Sequence, residues 1–215
     1  MFHKSNLGKL WEASYLWSML DPSFENLLPC DGVVRYFGTL LSEQQADKYF
    51  AQLMEEVDWQ HDQVRMFGKL ITTKRKIGWY GDKPFGYTYS QMKKTALPWT
   101  PGLSDLKSWA EQVTGSTYNS CLANLYHDGS EGMAWHSDAE KMLLPRGAIA
   151  SISLGAERIF GFKHQELGTV VKTSLAHGSL LVMEGTTQEF WKHRLAPTKK
   201  SVGPRINLTF RTIVE

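Results

Sequence analysis

Cysteine is scarce: Cys30 and Cys121 are the only two in 215 residues. Two thiols so far apart give neither a disulfide framework nor a cysteine-based zinc spacing, which suits a reducing compartment. The expected location is cytoplasmic, or nuclear in a eukaryotic cell. Long apolar runs are missing too. Nothing approaches the ~20 residues that cross a bilayer, so no membrane partner is expected. An excess of one charge is also absent. Twenty-four Lys and Arg against 22 Asp and Glu leave a net +2 with histidines neutral. Bulk charge therefore announces no nucleic-acid partner, and any such partner must show itself in local clustering. No repeat or low-complexity tract is visible. The start is mildly basic, but Glu12, Ser14 and Ser18 break up the apolar residues after it, so no signal peptide is expected.

What is present is enough hydrophobic residue, 42%, for one full core. A monomer with one domain over 28–215 and an extension over 1–27 is expected. Val33 to Phe37 reads as a strand. Ser42 with Gln45 three residues on is a capping-box signature. Ala46, Tyr49, Phe50, Leu53 and Val57 come next at helical spacing, which predicts a helix from Glu43 to Val57. Ser104 as N-cap and Gly115 as C-terminal glycine predict a second helix over Asp105 to Thr114. From Asn119 the pattern turns to β: strands over 119–126, 133–137, 148–154, 157–162, 168–173, 179–184, 188–194 and 205–213, separated by turn signals. Eight short strands in a row imply a barrel or a two-sheet jelly roll. With two helices ahead of them, the class is α+β.

Residues 61–95 differ in character. Arg65, Lys69, Lys74, Arg75 and Lys76 interleave with Phe67, Trp79, Tyr80, Phe85, Tyr87 and Tyr89. Cations mixed with aromatics suit a surface that holds phosphates and stacks bases. The plainer alternative is a twisted hairpin whose aromatics are ordinary core.

The segment Arg205-Ile206-Asn207-Leu208-Thr209-Phe210-Arg211 alternates strictly. In a strand, period two puts the polar residues on one face and Ile206, Leu208 and Phe210 on the other. If the apolar face packs under the helices, two guanidinium groups point into the barrel and require anions. A dicarboxylate such as 2-oxoglutarate would satisfy both; an exposed edge strand is the plainer alternative. Asn124 and Tyr126 share one strand face and could bond the same acid. His136 and Asp138, one residue apart, can face one side of an extended segment. A third ligand from a distant strand would complete the two-histidine, one-carboxylate set that leaves positions open on iron(II). Three histidines could supply it: His164 in a loop, His177 at a turn, and His193 in a strand-like run. His193 is preferred.

Together, Asn124-Leu125-Tyr126, Trp135-His136-Ser137-Asp138, His177-Gly178-Ser179, His193 and Arg205-x-Asn207-Leu208-Thr209-Phe210-Arg211 resemble the AlkB family. These are iron(II)- and 2-oxoglutarate-dependent dioxygenases that repair alkylated nucleic acid. The resemblance runs from about Leu28 to Ile213 and is nearest the branch that repairs duplex DNA. It implies a double-stranded β-helix (jelly-roll) core over 119–213, braced by two or more helices, with a nucleotide-recognition lid over 61–95. It implies that His136, Asp138 and His193 bind Fe(II). Asn124, Tyr126, Arg205, Asn207 and Arg211 would hold 2-oxoglutarate, with O2 as the other cosubstrate. Glu140 falls where the family reads the damaged base, and Tyr89 where an aromatic stacks on it. Tyr80 and Tyr87 lie in segments that resemble the lid. Phe67 matches an aromatic inserted into the vacated stack, and Arg75 an arginine that contacts a strand. Lys74, where many members have proline, and the small Gly78 depart from the pattern and bear on lid shape.

The expected reaction is oxidative demethylation of N1-methyladenine and N3-methylcytosine in alkylated DNA, with release of formaldehyde, succinate and CO2. Two rivals keep part of this reading. One puts the same chemistry on RNA or a protein side chain; the other is a lesion-binding domain without turnover.

Overall fold

The structure is a computed structural model that describes residues 25–66, 69–89 and 92–214; at 64–66, 69–70, 87–89 and 92–93 it describes the backbone alone. Most of the expected extension at 1–27 lies outside the described residues. Its last part already belongs to the body. The Asn26 side-chain oxygen accepts from the N–H groups of Leu28 and Val34, at 3.1 and 2.8 Å.

Strand β1 (Val33–Thr39) leads into helix α1 (Glu43–Glu56). The capping box forms as expected: Ser42 Oγ accepts from Gln45 N, and Gln45 Oε1 accepts from Ser42 N. Strands β2 (Gln60–Met66) and β3 (Lys69–Gly81) form a hairpin, and β4 (Gly86–Tyr89) pairs with β5 (Met92–Thr95). Helix α2 is Pro101–Thr114, four residues longer at its start than the sequence predicts. Thr100, not Ser104, is its N-cap, and its hydroxyl accepts from Leu103 N. Pro101 reads locally as a loop signal, yet a fixed φ and a missing N–H also suit a first helical position.

The remaining elements are β6 (Ser120–Tyr126), β7 (Met133–His136), β8 (Ile149–Gly155), β9 (Arg158–His164), β10 (Val170–Leu175), β11 (Ser179–Glu184), α3 (Thr187–Phe190), β12 (Trp191–Leu195) and β13 (Arg205–Arg211). The strand expected over 188–194 thus begins as a helical turn. Thr187 Oγ1 accepts from Val33 N at 2.9 Å and lies 2.7 Å from the Glu184 carbonyl, which ties the turn to two strands.

A seven-stranded sheet has the order β1-β11-β8-β13-β6-β3-β2, and a four-stranded sheet the order β10-β9-β12-β7. This is the jelly roll in an α+β frame that the turn-punctuated strands imply. The hairpin β2–β3, in the segment expected to form a lid, is an extension of the larger sheet, because β3 pairs with β6. One core lies outside that sheet. Ile206, Leu208 and Phe210 of β13 pack there with Ala46 and Leu53 of α1 and Leu103, Leu106 and Val113 of α2. A second core lies between the sheets and includes Phe162, Leu181, Met183 and Trp191. Burying each large apolar side chain of β13 contributes about 2 kcal/mol. That burial fixes which face of the strand looks inward.

Leu208 is fully buried. Leu208→Ala is expected to cost ~2–5 kcal/mol by loss of burial and a residual cavity, read as a lower urea midpoint. An unchanged midpoint would mean that the helix-facing core does not hold β13.

Candidate active site and metal centre

Three side chains far apart in sequence converge between the sheets. The register of β12 on β7 sets His193 directly opposite His136, with ring centroids 4.3 Å apart. Asp138 is the second residue past the end of β7, and its Oδ1 lies 4.0 Å from His136 Nε2. The potential ligand atoms of the three residues all lie within 4.8 Å of one another.

Each group is held in a state that can donate electrons. His136 Nδ1 is 2.8 Å from the Ala134 carbonyl. A carbonyl only accepts, so Nδ1 carries a hydrogen and Nε2 is the nitrogen left to face a metal. His193 is buried and stacks on Phe160 at 5.5 Å between ring centroids. Burial pushes its pKa down to about 4, against the pull of Asp138, so the imidazole is neutral near pH 7. Its Nδ1 is buried without a hydrogen-bond partner. Asp138 is 6% exposed. Burial alone would raise its pKa, but the Arg211 guanidinium, with Nη2 2.9 Å from Oδ1, together with His193 and His136 outweighs that and holds it below the ordinary carboxylate value. Two imidazoles and one ionised carboxylate are the donor set an octahedral divalent iron accepts with positions to spare. An unpartnered buried nitrogen on His193 fits such a role.

The face expected to hold the acid is equally well defined. Arg205 pairs across strands with Tyr126, and Asn207 with Asn124. Arg205 is 2% exposed. Its Nη2 donates to Ser153 Oγ at 2.9 Å, and its guanidinium sits 5.6 Å from the centroid of the Tyr126 ring. Among the described residues it has no carboxylate partner, and burial pushes its pKa down to about 10. Arg205 Nε, Arg211 Nε and Asn124 Oδ1 are buried without partners. Unmatched N–H donors beside a buried positive charge call for an anion. Arg211 joins this face to the metal ligands through Asp138. Asn207 is committed within the sheet: its Nδ2 donates to Ser151 Oγ and the Ile152 carbonyl.

A cavity of about 270 Å³ is lined by Asp138, Glu140, Gln188 and Arg211 among others, and meets the His136/Asp138/His193 cluster through Asp138. Glu140 Oε1 is 3.7 Å from Arg211 Nη1, and its Oε2 is buried without a partner. That leaves an acceptor oxygen beside the cavity.

The lid residues divide. Tyr80, expected at the substrate, is instead core: it is 2% exposed, and its hydroxyl accepts from Asp58 N at 2.8 Å. The plainer alternative held for this aromatic. Arg75, expected to contact a strand, is 5% exposed and paired with Asp62 at 2.5 Å. Lys94 engages the other oxygen of Asp62, also at 2.5 Å. A buried, paired guanidinium is not free to take a phosphate. Gly78 is small because an added Cβ would lie 2.6 Å from Val57 Cγ1. Phe67 lies outside the described residues. Tyr87 and Tyr89 are on β4, with side chains outside the described set.

Sequence reasoning passed over Ser151, Ser153 and Gln188. The two serines alternate in Ile149-Ala150-Ser151-Ile152-Ser153-Leu154, the same period-two signal that marked β13. Gln188 gave no signal. Its Oε1 accepts from Asp138 N at 2.8 Å across 50 residues of sequence. Of the passed-over histidines, His177 is a turn residue whose Nδ1 accepts from Gly155 N. His164 lies near Cys30 and Asp31, with ligand atoms within 4.8 Å. Its Nδ1 accepts from the N–H groups of Glu166 and Leu167. The hydrogen is therefore on Nε2, 3.2 Å from Asp31 Oδ2, and no lone pair is left for a metal.

Residues 33–211 match the model of the 2OG-Fe(II) oxygenase superfamily. The chain is 38% identical over 198 residues to a Mus musculus protein named DNA oxidative demethylase ALKBH2, covering 87% of this chain and 83% of that one. It is 37% identical over 204 residues to the Homo sapiens protein of that name, covering 90% and 78%. It is 37% identical over 212 residues to the Bos taurus alpha-ketoglutarate-dependent dioxygenase alkB homolog 3, covering 94% and 71%. A solved structure titled "The structure of OsALKBH1" superposes with a TM-score of 0.55 at 16% identity, over 86% of this chain and 99% of that one. At that identity the likeness concerns the fold.

Two outcomes are expected of this geometry. Because the folded pKa of His193 lies below its ordinary 6.5, the unfolded chain binds an extra proton between pH 6.5 and about 4. The metal-free chain therefore loses stability as pH falls through that window. Urea midpoints should drop from pH 6.5 to 4.5, less steeply in His193→Gln; equal slopes would remove His193 as the source. Gln188→Leu should weaken Mn(II) or Co(II) binding by about 10- to 100-fold in calorimetric titration. Gln188→Glu, which keeps an acceptor oxygen, should bind near wild type, and equal affinity in Gln188→Leu would deny Gln188 any hold on Asp138.

Proposed function

The chain belongs to the AlkB family of the 2OG-Fe(II) oxygenase superfamily, and from that premise we propose that it removes methyl groups oxidatively from alkylated bases in DNA. N1-methyladenine and N3-methylcytosine are the substrates this reading names. One observation carries it. Arg205, buried and without a carboxylate partner among the described residues, lies on the strand whose other arginine grips Asp138 of the His136/Asp138/His193 cluster. A site that pairs open metal positions with an unmet cation asks for a metal and an organic acid together. Relatives named DNA oxidative demethylase support the choice of DNA.

His136 Nε2, His193 and Asp138 would hold Fe(II). Arg205 would take the distal carboxylate of 2-oxoglutarate, with Ser153 and Tyr126 bracing the guanidinium. Arg211 and Asn124 would complete the acid's hydrogen bonds, while Asn207, expected there too, is spent on Ser151 and Ile152 and would only brace the strand. Bound iron and 2-oxoglutarate supply the oxidant: one atom of O2 enters the N-methyl group, while the other goes into succinate as 2-oxoglutarate loses CO2. The hydroxymethylated base then expels formaldehyde and recovers its ring nitrogen.

The chain's own residues do the rest. Phe160 and Phe162 around His193 keep water from the metal wall. Glu140 Oε2, unpartnered beside the cavity, would accept a hydrogen bond from the exocyclic amino group of adenine or cytosine. A cationic methylated base would suit this acidic oxygen. The target nucleotide must leave its stack to reach the site. Phe67, Tyr87 and Tyr89 keep the roles of wedge and stacking aromatics in this reading.

A formaldehyde-release panel tests it, comparing methyladenine and methylcytosine in single-stranded DNA, duplex DNA and RNA. Wild-type chain should release formaldehyde and succinate from the methylated DNA, and Asp138→Ala should release neither. Arg205→Met should raise the 2-oxoglutarate concentration for half-maximal turnover by at least about tenfold, since losing one member of a buried charge pair costs ~2–5 kcal/mol. Turnover retained by Asp138→Ala would sink the metal assignment. Formaldehyde from RNA alone would move the substrate class.

A further inference from the structure

The outer surface of the four-stranded sheet has no part in the site just described. Alternation fixes its outward positions. Phe162 and His193 are buried, at 0% and 4% exposure, so Lys163, Lys192 and Arg194 point away from the interior. The register sets Lys192 directly opposite Lys163. Two residues along, Arg194 faces Gly161, and Gly161 faces Lys172 on β10. Trp135 lies across that glycine, where an added Cβ would be 3.3 Å from its Cη2. The Arg194 guanidinium stacks on Trp135 at 4.4 Å from the ring centroid. The three lysines are exposed and Arg194 is half-buried.

No outward strand position here carries an acid: Ile159, Val170 and Ser174 are uncharged. Glu157, at the near end, is turned to the Ser174 hydroxyl. Among the described residues, none of the four cations forms an ion pair with a carboxylate. Like charges directly opposite one another destabilise a sheet. An ordinary solvated face mixes signs, as the chain does overall with 24 basic and 22 acidic residues. Here four cations occupy neighbouring strands about 4.8 Å apart and two levels about 7 Å apart. That density of one sign matches a polyanion.

We propose that this face holds the phosphate backbone of a nucleic-acid strand flanking the nucleotide in the active site. The proposal rests on the reading of the chain as a nucleic-acid demethylase. Lys192 and Arg194 flank His193, and Trp135 precedes His136, so the surface is the back of the wall that carries two of the three ligands. A short substrate confined to the cleft does not touch it. A longer strand continues onto it, with Trp135 fixing the Arg194 guanidinium flat against the sheet.

The test uses the full chain with Lys163→Gln, Lys172→Gln and Lys192→Gln combined. Binding to a fluorescein-labelled 20-nucleotide strand is measured by anisotropy across a salt series. Turnover of a methylated trinucleotide is measured in parallel, and it also reports that the variant folds. The slope of log affinity against log salt should fall by about 2, at ~0.7 for each phosphate of a single strand that is no longer neutralised. Affinity for the long strand should fall at least tenfold, with trinucleotide turnover unchanged. An unchanged slope and affinity overturn the proposal and leave the demethylase reading intact. A wild-type chain that turns over no methylated oligonucleotide of either length overturns that reading and this proposal with it. Loss of trinucleotide turnover in the triple variant overturns the separation of face from cleft; single Lys192→Gln and Lys163→Gln variants then show which lysine the cleft needs.

Discussion

Arg205 carries its charge where water hardly reaches, bonded to a serine hydroxyl and laid near a tyrosine ring. Holding a bare guanidinium there is costly. The fold accepts the cost because the opposite face of β13 packs Ile206, Leu208 and Phe210 against two helices. The strand cannot rotate to relieve the charge without exposing that core. Binding of an acid there would remove the mismatch, so the helices that brace the large sheet would act on the chemistry from a distance, by holding the cation in place. Arg211, at the other end of the same strand, meets a carboxylate of the chain itself, Asp138. One strand thereby defines both a site that needs an outside anion and the orientation of an anionic ligand.

The second sheet contributes register. His136 and His193 are 57 positions apart in sequence yet face each other across β7 and β12. Asp138 lies beyond the end of β7, and a backbone bond from its N–H to Gln188, on the turn that precedes β12, holds it in place. Both ends of the ligand set are thus tied to the same pair of segments.

How much of this could be read from sequence depended on periodicity. β13 declared itself because polar and apolar residues alternate without interruption, and the His-x-Asp spacing gained meaning from it. The serines of β8 show the same alternation more quietly. Helix α2 was misplaced at its start because Pro101 is ambiguous between loop and first helical turn. The strand at 188–194 hid the turn Thr187–Phe190, whose bonds to Val33 and Glu184 are tertiary and leave no local pattern. Tyr80 and Arg75 illustrate a deeper limit. A mixture of cations and aromatics looks alike whether the side chains face solvent or fold back onto Asp58 and Asp62. Burial, not composition, separates those cases.

The alternation of β12 has a consequence for how reliably the chain finds its own structure. Sliding this strand by one residue against its neighbours would withdraw His193 and drive Lys192 or Arg194 into an apolar interior beside Phe160 and Phe162. Misregistered pairings are therefore penalised by a buried, unpaired cation, far more than by imperfect packing. The charges on the outer surface thus make the wrong alignments expensive, and the correct alignment is the one that turns Trp191, His193 and Leu195 inward and leaves both cations outside.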